Sequence, residues 1–183
     1  MHRAEYDAIP EVALDWHRSG RGAVLATVIE TWNSAPRPVG SQLAISAQGE
    51  VVGSISGGSI EKLVAAQAID ALSEGRPRLL TYGVSDETAS AAGLACGGSI
   101  RIMVAPVGPV LSDELLASLV AARADRRPIA LVTDTVGWTS TLDDGSDPAV
   151  ADRFRSDRSG MEEDGRFIAV HNPPLRMAII GAV

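Results

Sequence analysis

The single cysteine of the chain, Cys96, stands directly before two glycines in "GLACGGSI", and the tetrapeptide "GGSI" occurs twice, at 57–60 and at 97–100. A thiol beside bare backbone N–H dipoles has a lowered pKa and becomes a nucleophile or a soft-metal ligand. A free cysteine that fills space in a core is the other reading. In the first copy, "SGGS", Ser56 occupies the position that Cys96 holds in the second. Gly57 and Gly58, followed by Ser59, leave N–H groups unobstructed where a helix is expected to begin. That setting holds phosphate or another anion, and it equally serves a plain turn from strand to helix. Gly97 and Gly98 follow the thiol in the same way. Arg37 lies between two prolines in "SAPRPVGS", a stiff non-helical loop whose guanidinium could clamp a phosphate or carboxylate or simply mark a surface turn. Asp86 and Glu87 suit proton transfer or Mg²⁺, or else complement the dipole of a short helix. His2, His17 and His171 show no metal-ligand spacing, so no zinc site is expected, and no Walker loop, nucleophile elbow or cysteine pair is present.

These residues need elements to position them. "YDAIPEVALDWHRSGR" places Ile9, Val12, Ala13 and Trp16 on one helical face. "GAVLATVIET" at 22–31 reads as a strand buried on both faces. "QLAISAQGEVVGSI" reads as a hairpin turning at Gly49. A helix then carries the stripe Ile60, Leu63, Val64, Ala68, Ala71 and Leu72, with Ser59 as its cap, Glu61 at its positive end, and Gly75 and Pro77 as its stop. "RLLTYG" is a strand, "SDETASAAG" a short helix from Ser85 to Gly93, and "GGSIRIMVAPV" a strand. Both "GGSI" copies thus open a new element. After Pro109 come a helix capped by Ser112, strands at "PIALVTDT" and "GWTSTL", a helix opened by Asp147 and Pro148, and a strand at "RFIAVHNPP". "DDGSD" and "RSGMEEDG" read as exposed loops. "LRMAIIGAV" is an apolar strand running into a glycine, the way a dinucleotide-binding turn begins.

Composition narrows the function classes. With 45% hydrophobic but only 4% aromatic residues, the core is aliphatic, as in globular α/β proteins. A formal net charge of −7 opposes a nucleic-acid partner, since phosphate-backbone affinity needs clustered Lys and Arg. The basic stretches "ADRRP" and "RFRSDR" are interrupted by acids and read as solvated helix ends. The first residues lack the apolar core of a signal peptide, and no apolar run approaches the ~18 residues of a membrane span, so a cytoplasmic protein without a membrane partner is expected.

The segments "ATVIETWNSAPRPVGSQLAIS", "GEVVGSISGGSIEKLV" and "YGVSDETASAAGLACGGSIRIMV" together resemble the XdhC/CoxI family, the xanthine dehydrogenase accessory factors, over roughly residues 25–104. "PPLRMAIIGAV" resembles the entry to that family's C-terminal Rossmann domain. The expected fold is α/β, a mixed β-sheet with flanking helices followed by the first strand of a truncated Rossmann-type domain. The division would be 1–108 for the family-type N-terminal domain, 109–172 for its continuation and 173–183 for the start of the Rossmann-like domain. The resemblance implies an accessory protein, not a subunit of the oxidoreductase. It would bind the molybdenum cofactor (molybdopterin), assist its sulfuration and insert it into a xanthine dehydrogenase-like or carbon monoxide dehydrogenase-like molybdoenzyme. A cysteine desulfurase and a second copy of the chain are further implied partners. By position, Arg37, Gly57, Gly58, Cys96, Gly97 and Gly98 match family loop residues, with Ser56 and Ser59 flanking the first glycine pair, and Cys96 is the residue that would touch molybdenum. Many members read "SGGCVE" where this chain reads "SGGSIE", so Ser59 replaces a thiol and a two-thiol scheme is closed to it. The alternative is an NAD(P)-dependent oxidoreductase whose Rossmann domain is missing from the chain; a third reading is an interaction module whose glycines are purely structural.

Overall fold

The computed structural model describes residues 8–33, 35, 37–83, 98–175 and 181. Helix α1 (Ile9–Arg18) carries Pro10 in its first turn, where the missing N–H costs nothing, and buries Ile9, Ala13, Leu14 and Trp16 on one side. Strands β1 (Ala23–Trp32), β2 (Gln42–Ser46) and β3 (Val51–Gly53) follow, then α2 (Glu61–Glu74), β4 (Arg78–Tyr82) and β5 (Ser99–Pro106). The rest comprises α3 (Asp113–Ala124), β6 (Ile129–Asp134), β7 (Ser140–Asp143), α4 (Pro148–Ser156), β8 (Gly160–Met161) and β9 (Arg166–His171).

Punctuation read from the sequence acts where it was expected in several places. Ser112 Oγ accepts from the Leu115 N–H at 3.2 Å, and Asp147 Oδ1 accepts from the Ala149 N–H at 2.8 Å with Pro148 just inside the helix. Gly75 ends α2 at φ 64°, a left-handed conformation that returns its N–H to the last turn. Two details differ. The N-cap of α2 is Ile60 with no side-chain cap bond, so Ser59 does not cap it. The stretch read as the loop "RSGMEEDG" contains β8, too short to leave an alternating pattern, whose residues Gly160 and Met161 pair with Ile168 and Phe167. The short helix expected at 85–93 and the strand expected from "LRMAIIGAV" lie outside the described residues, apart from Leu175 and Gly181.

The α/β class with flanking helices is what the chain adopts, with its strands divided between two sheets ordered β3-β2-β1-β5-β4 and β7-β6-β9-β8. Every pairing between these strands is antiparallel. On one face of the first sheet Val24, Ala26, Val28, Ile102 and Val104 meet Val64, Ala68 and Ala71 of α2. On the other, Leu25, Ile29 and Met103 share a core with Ala13 and Trp16 of α1, Leu116 and Leu119 of α3, and Leu131, Phe167 and Ala169 of the second sheet. Strand β1 is therefore apolar on both faces, as its continuous run requires. Helix α4 closes the far side, with Val150 against Ala130, Val132 and Ile168.

Register decides where the motif loops lie. Thr27 pairs with Gln42, Leu43 with Gly53, Trp32 with Ser99 and Tyr82 with Ile100. The segments following β1, β3 and β4, and those preceding β2 and β5, therefore all leave the same end of the five-stranded sheet.

Candidate functional site

The Arg37 segment is held where β1 bulges between Val28 and Glu30. The Val28 N–H donates to Ser41 O at 2.9 Å, and the Gly40 N–H donates to Val28 O at 2.8 Å. Gly40 has φ 90°, and a Cβ built on it would come within 2.5 Å of Ser159 Oγ, so only glycine lets this segment close on the second half of the fold. Ser159 Oγ is itself fixed, accepting from the Val170 N–H at 2.9 Å. Between these two walls lies a cleft of about 810 Å³ whose polar lining includes Arg37, Gln42, Arg123, Asp157, Arg158 and His171.

The charge of that cleft runs against the charge of the chain. Three guanidinium groups face one carboxylate there, in a protein of net charge −7. Arg123 is engaged: its Nε donates to Glu11 Oε1 at 2.6 Å and its Nη1 lies 3.0 Å from His171 Nδ1. Asp157 accepts from Asn172 Nδ2 at 2.8 Å. Arg37 and Arg158, by contrast, have no acidic partner among the described residues. Arg37 Nε and His171 Nε2 are buried atoms with no hydrogen-bond partner among those residues. His171 is 9% exposed. Burial, aided by the Arg123 charge, pushes its pKa down to about 3, so its imidazole is neutral at pH 7. A guanidinium can only donate, so Nδ1 is the acceptor and the ring proton resides on Nε2. In sequence His171 shows no metal-ligand spacing and Arg158 reads as part of a solvated helix end, so neither stands out there.

The glycine loop after β3 makes an anion site that the chain fills itself. The N–H groups of Ile55 and Ser56 donate to Glu61 Oε1 at 3.2 and 3.0 Å, and that of Gly58 donates to Glu61 Oε2 at 3.0 Å. The Ser56 hydroxyl donates to Glu61 Oε2 and accepts from the Ile60 N–H at 3.1 Å. The Gly57 N–H goes to Ser54 Oγ at 3.1 Å. These bonds outweigh the desolvation of the carboxylate and hold its pKa down at about 2. The amides expected to be open at 56–58 are thus engaged, those of Ser56 and Gly58 by Glu61, a residue read only as a complement to the helix dipole, and that of Gly57 by Ser54. Gly57 and Gly58 have φ 78° and 111°, and a Cβ on Gly58 would meet nothing within 4 Å, so the surface above Gly58 is open.

Of the second glycine pair, Gly98 is described and is buried at the entry to β5; Cys96 and Gly97, like Asp86 and Glu87, lie outside the described residues. The structure brings the Arg37 segment, the Ser56–Ser59 loop and Gly98 to one end of the sheet. It does not bring them into one cleft: none of Ser56, Gly57, Gly58, Ser59 or Gly98 lines the Arg37 cavity. Ile55 and Ile60 pack on the α2 face, while Val39, beside Arg37, packs on the face toward the second sheet. Among the described residues no group of three or more His, Cys, Asp or Glu could hold a metal ion, and no helix is long and apolar enough to cross a membrane.

The chain is 30% identical over 130 residues to the molybdenum cofactor insertion chaperone PaoD of Escherichia coli (strain K12), a match covering 71% of this chain and 40% of that protein. It is also 30% identical over 131 residues to the uncharacterized protein YqeB of the same organism, covering 72% of this chain and 22% of that one. The chain thus spans less than half the length of either curated relative. A crystal structure of a xanthine dehydrogenase from Bacillus halodurans has the same fold, with TM-score 0.67 and 20% identity over 90% of this chain and 52% of that one. Residues 16–83, which run from the end of α1 through the Arg37 segment and the first glycine loop to the end of β4, match the XdhC and CoxI family.

Proposed function

We propose that the chain takes up the molybdenum cofactor as cargo and passes it to a xanthine dehydrogenase-like or carbon monoxide dehydrogenase-like molybdoenzyme. The observation that carries this reading is the common sheet end from which the Arg37 segment, the Ser56–Ser59 loop and the strand after Gly98 all emerge. The similarity to PaoD supports the choice of cargo. An anionic, oxygen-labile pterin needs donors and shelter from water more than it needs catalytic acids. The donor set fits: Arg37 offers a buried Nε with no acceptor among the described residues.

In this proposal Arg37 binds the anionic end of the cargo. Ser56, Gly57, Gly58 and Ser59 contribute a rigid surface without side-chain bulk, because Glu61 already satisfies the amides of Ser56 and Gly58 and locks the loop shape. Cys96, with Gly97 and Gly98, supplies the single thiol directed at molybdenum during sulfuration. A cysteine desulfurase as sulfur donor and a homodimer as the working unit belong to the same proposal. The test is purification from a host that makes the cofactor, followed by fluorescence of the oxidised pterin. Stoichiometric pterin in the wild type, reduced in Arg37→Ala and Cys96→Ala chains of unchanged fold, is the expected result. Absence of pterin from every preparation, with no uptake in anaerobic titration, removes the proposal.

A further inference from the structure

We propose that the cleft between the Arg37 segment and the second sheet is a binding site for a phosphate monoester or diphosphate group, held by Arg37 and Arg158 with His171 Nε2–H as a neutral donor. The inference rests on this cleft alone and does not require the cargo reading above.

Three independent features agree on the ligand class. The first is charge: the cleft is lined by three arginines and one aspartate although the chain as a whole carries −7. Glu11 on α1 compensates Arg123 without lining the cleft, which leaves Arg37 and Arg158 as the cations lacking an acidic partner among the described residues. The second is the pair of buried donors, Arg37 Nε and His171 Nε2, with no acceptor among the described residues. Burying an N–H without an acceptor is costly, a penalty that an incoming oxyanion removes. The third is donor chemistry. Two guanidinium forks and one imidazole N–H on residues lining the cleft offer more donors than a carboxylate's two oxygens use, and they suit the several oxygens of a phosphoryl group. Among the described residues a cation finds only Asp157 here as a carboxylate, and Asn172 already donates to it. At about 810 Å³ the cleft also has room for a diphosphate or for a phosphate carried on a larger molecule.

Two sources present this chemistry: the phosphate of a pterin cargo, and a free nucleotide-type diphosphate. The probe is inorganic diphosphate, titrated calorimetrically into the whole chain at low ionic strength. Saturable one-to-one binding is expected, weakened about 10-fold or more in Arg37→Gln and in Arg158→Gln, the loss of one charge-assisted hydrogen bond. Arg158 is exposed, so its variant keeps the fold even if a substitution at buried His171 does not. Arg155→Gln removes the same charge from a surface residue paired with Asp152 and leaves binding unchanged. His171→Gln, which keeps an N–H near the Nε2 position, binds better than His171→Leu. Competition separates the sources: displacement of diphosphate by the cofactor assigns the site to the cargo's phosphate, joint binding assigns it to a free phosphate compound, and either keeps the site. No saturable binding by the wild type, or equal weakening in Arg155→Gln and Arg158→Gln, overturns the proposal. A chain that binds diphosphate but never pterin retains this inference and loses the one before it.

Discussion

Arg123 Nη1 lies 3.0 Å from His171 Nδ1, and that contact fixes the imidazole as a neutral ring carrying its proton on Nε2. Glu11 Oε1 accepts from Nε of the same guanidinium at 2.6 Å, so Arg123 of α3 links a residue of α1 to one of β9. Since His171 also borders the cleft with Arg37, Asp157 and Arg158, its protonation places a fourth positive group beside three guanidiniums.

The sign of the resulting pH dependence is therefore determined. The pKa of His171 falls from 6.5 to about 3 on folding, so between these values the unfolded chain binds a proton that the folded chain does not. Stability is full above about pH 6.5 and declines as pH falls toward 3, with a slope of up to about 1.4 kcal/mol per pH unit from this group. Urea titrations across that range on wild type and His171→Gln check it: the variant shows the shallower slope. Identical slopes in the two proteins contradict the assignment.

Glu61 has an acid signature of the same sign in a more acidic window. Its carboxyl is held at about 2 by the Ser56 hydroxyl and the Ser56 and Gly58 amides, so its contribution is present above about pH 4.5 and disappears as pH falls toward 2. At neutral pH, Glu61→Ala leaves buried loop amides unmatched and costs about 1–3 kcal/mol. The melting temperature then drops by roughly 2–12 °C for a domain of this size. Differential scanning calorimetry at pH 7 reads this directly, and a variant melting like the wild type refutes it.

Gly40→Ala puts a methyl within 2.5 Å of Ser159 Oγ at a residue with φ 90°, combining a clash with a disfavoured backbone. The expected result is a loss of about 2 kcal/mol or more together with weaker diphosphate binding. A double variant, Gly40→Ala with Ser159→Gly, recovers part of the loss by removing the opposing side chain. Ser159→Gly alone is the reference, since it also removes the acceptor of the Val170 N–H, and no recovery relative to it shows that the backbone term is responsible.

Arg37→Ala is expected to fold normally, because its guanidinium forms no ion pair among the described residues, and to lose pterin by about 10-fold or more. The ratio of bound pterin to protein, read beside a melting curve, separates lost binding from lost fold.

The elements were legible in the sequence where the signal is local. The apolar run of β1, the stripe of α2 ending at Gly75, and the caps Ser112 and Asp147 each sit within one element and obey short-range rules. The site was legible only at Arg37 and in the glycine loops, because their residue types are unusual in place. Arg123, Arg158 and His171 look ordinary in sequence; they acquire meaning through β6–β9 pairing and the packing of α3, contacts between segments far apart in the chain. Glu61 stands in the first turn of α2, as its reading as a helix-dipole complement requires, but its capture of the loop amides is not legible in sequence, since both roles demand the same residue type at the same place. β8 escaped because two residues carry no periodicity.

The seam between Gly40 and Ser159 sets a gauge for the whole molecule. One side of it is tied to Val28 of β1 and the other to Val170 of β9, so the spacing of the two sheets and the depth at which Arg37 stands are one dimension rather than two. Whatever occupies the hollow beneath that arginine presses on both halves of the protein at once.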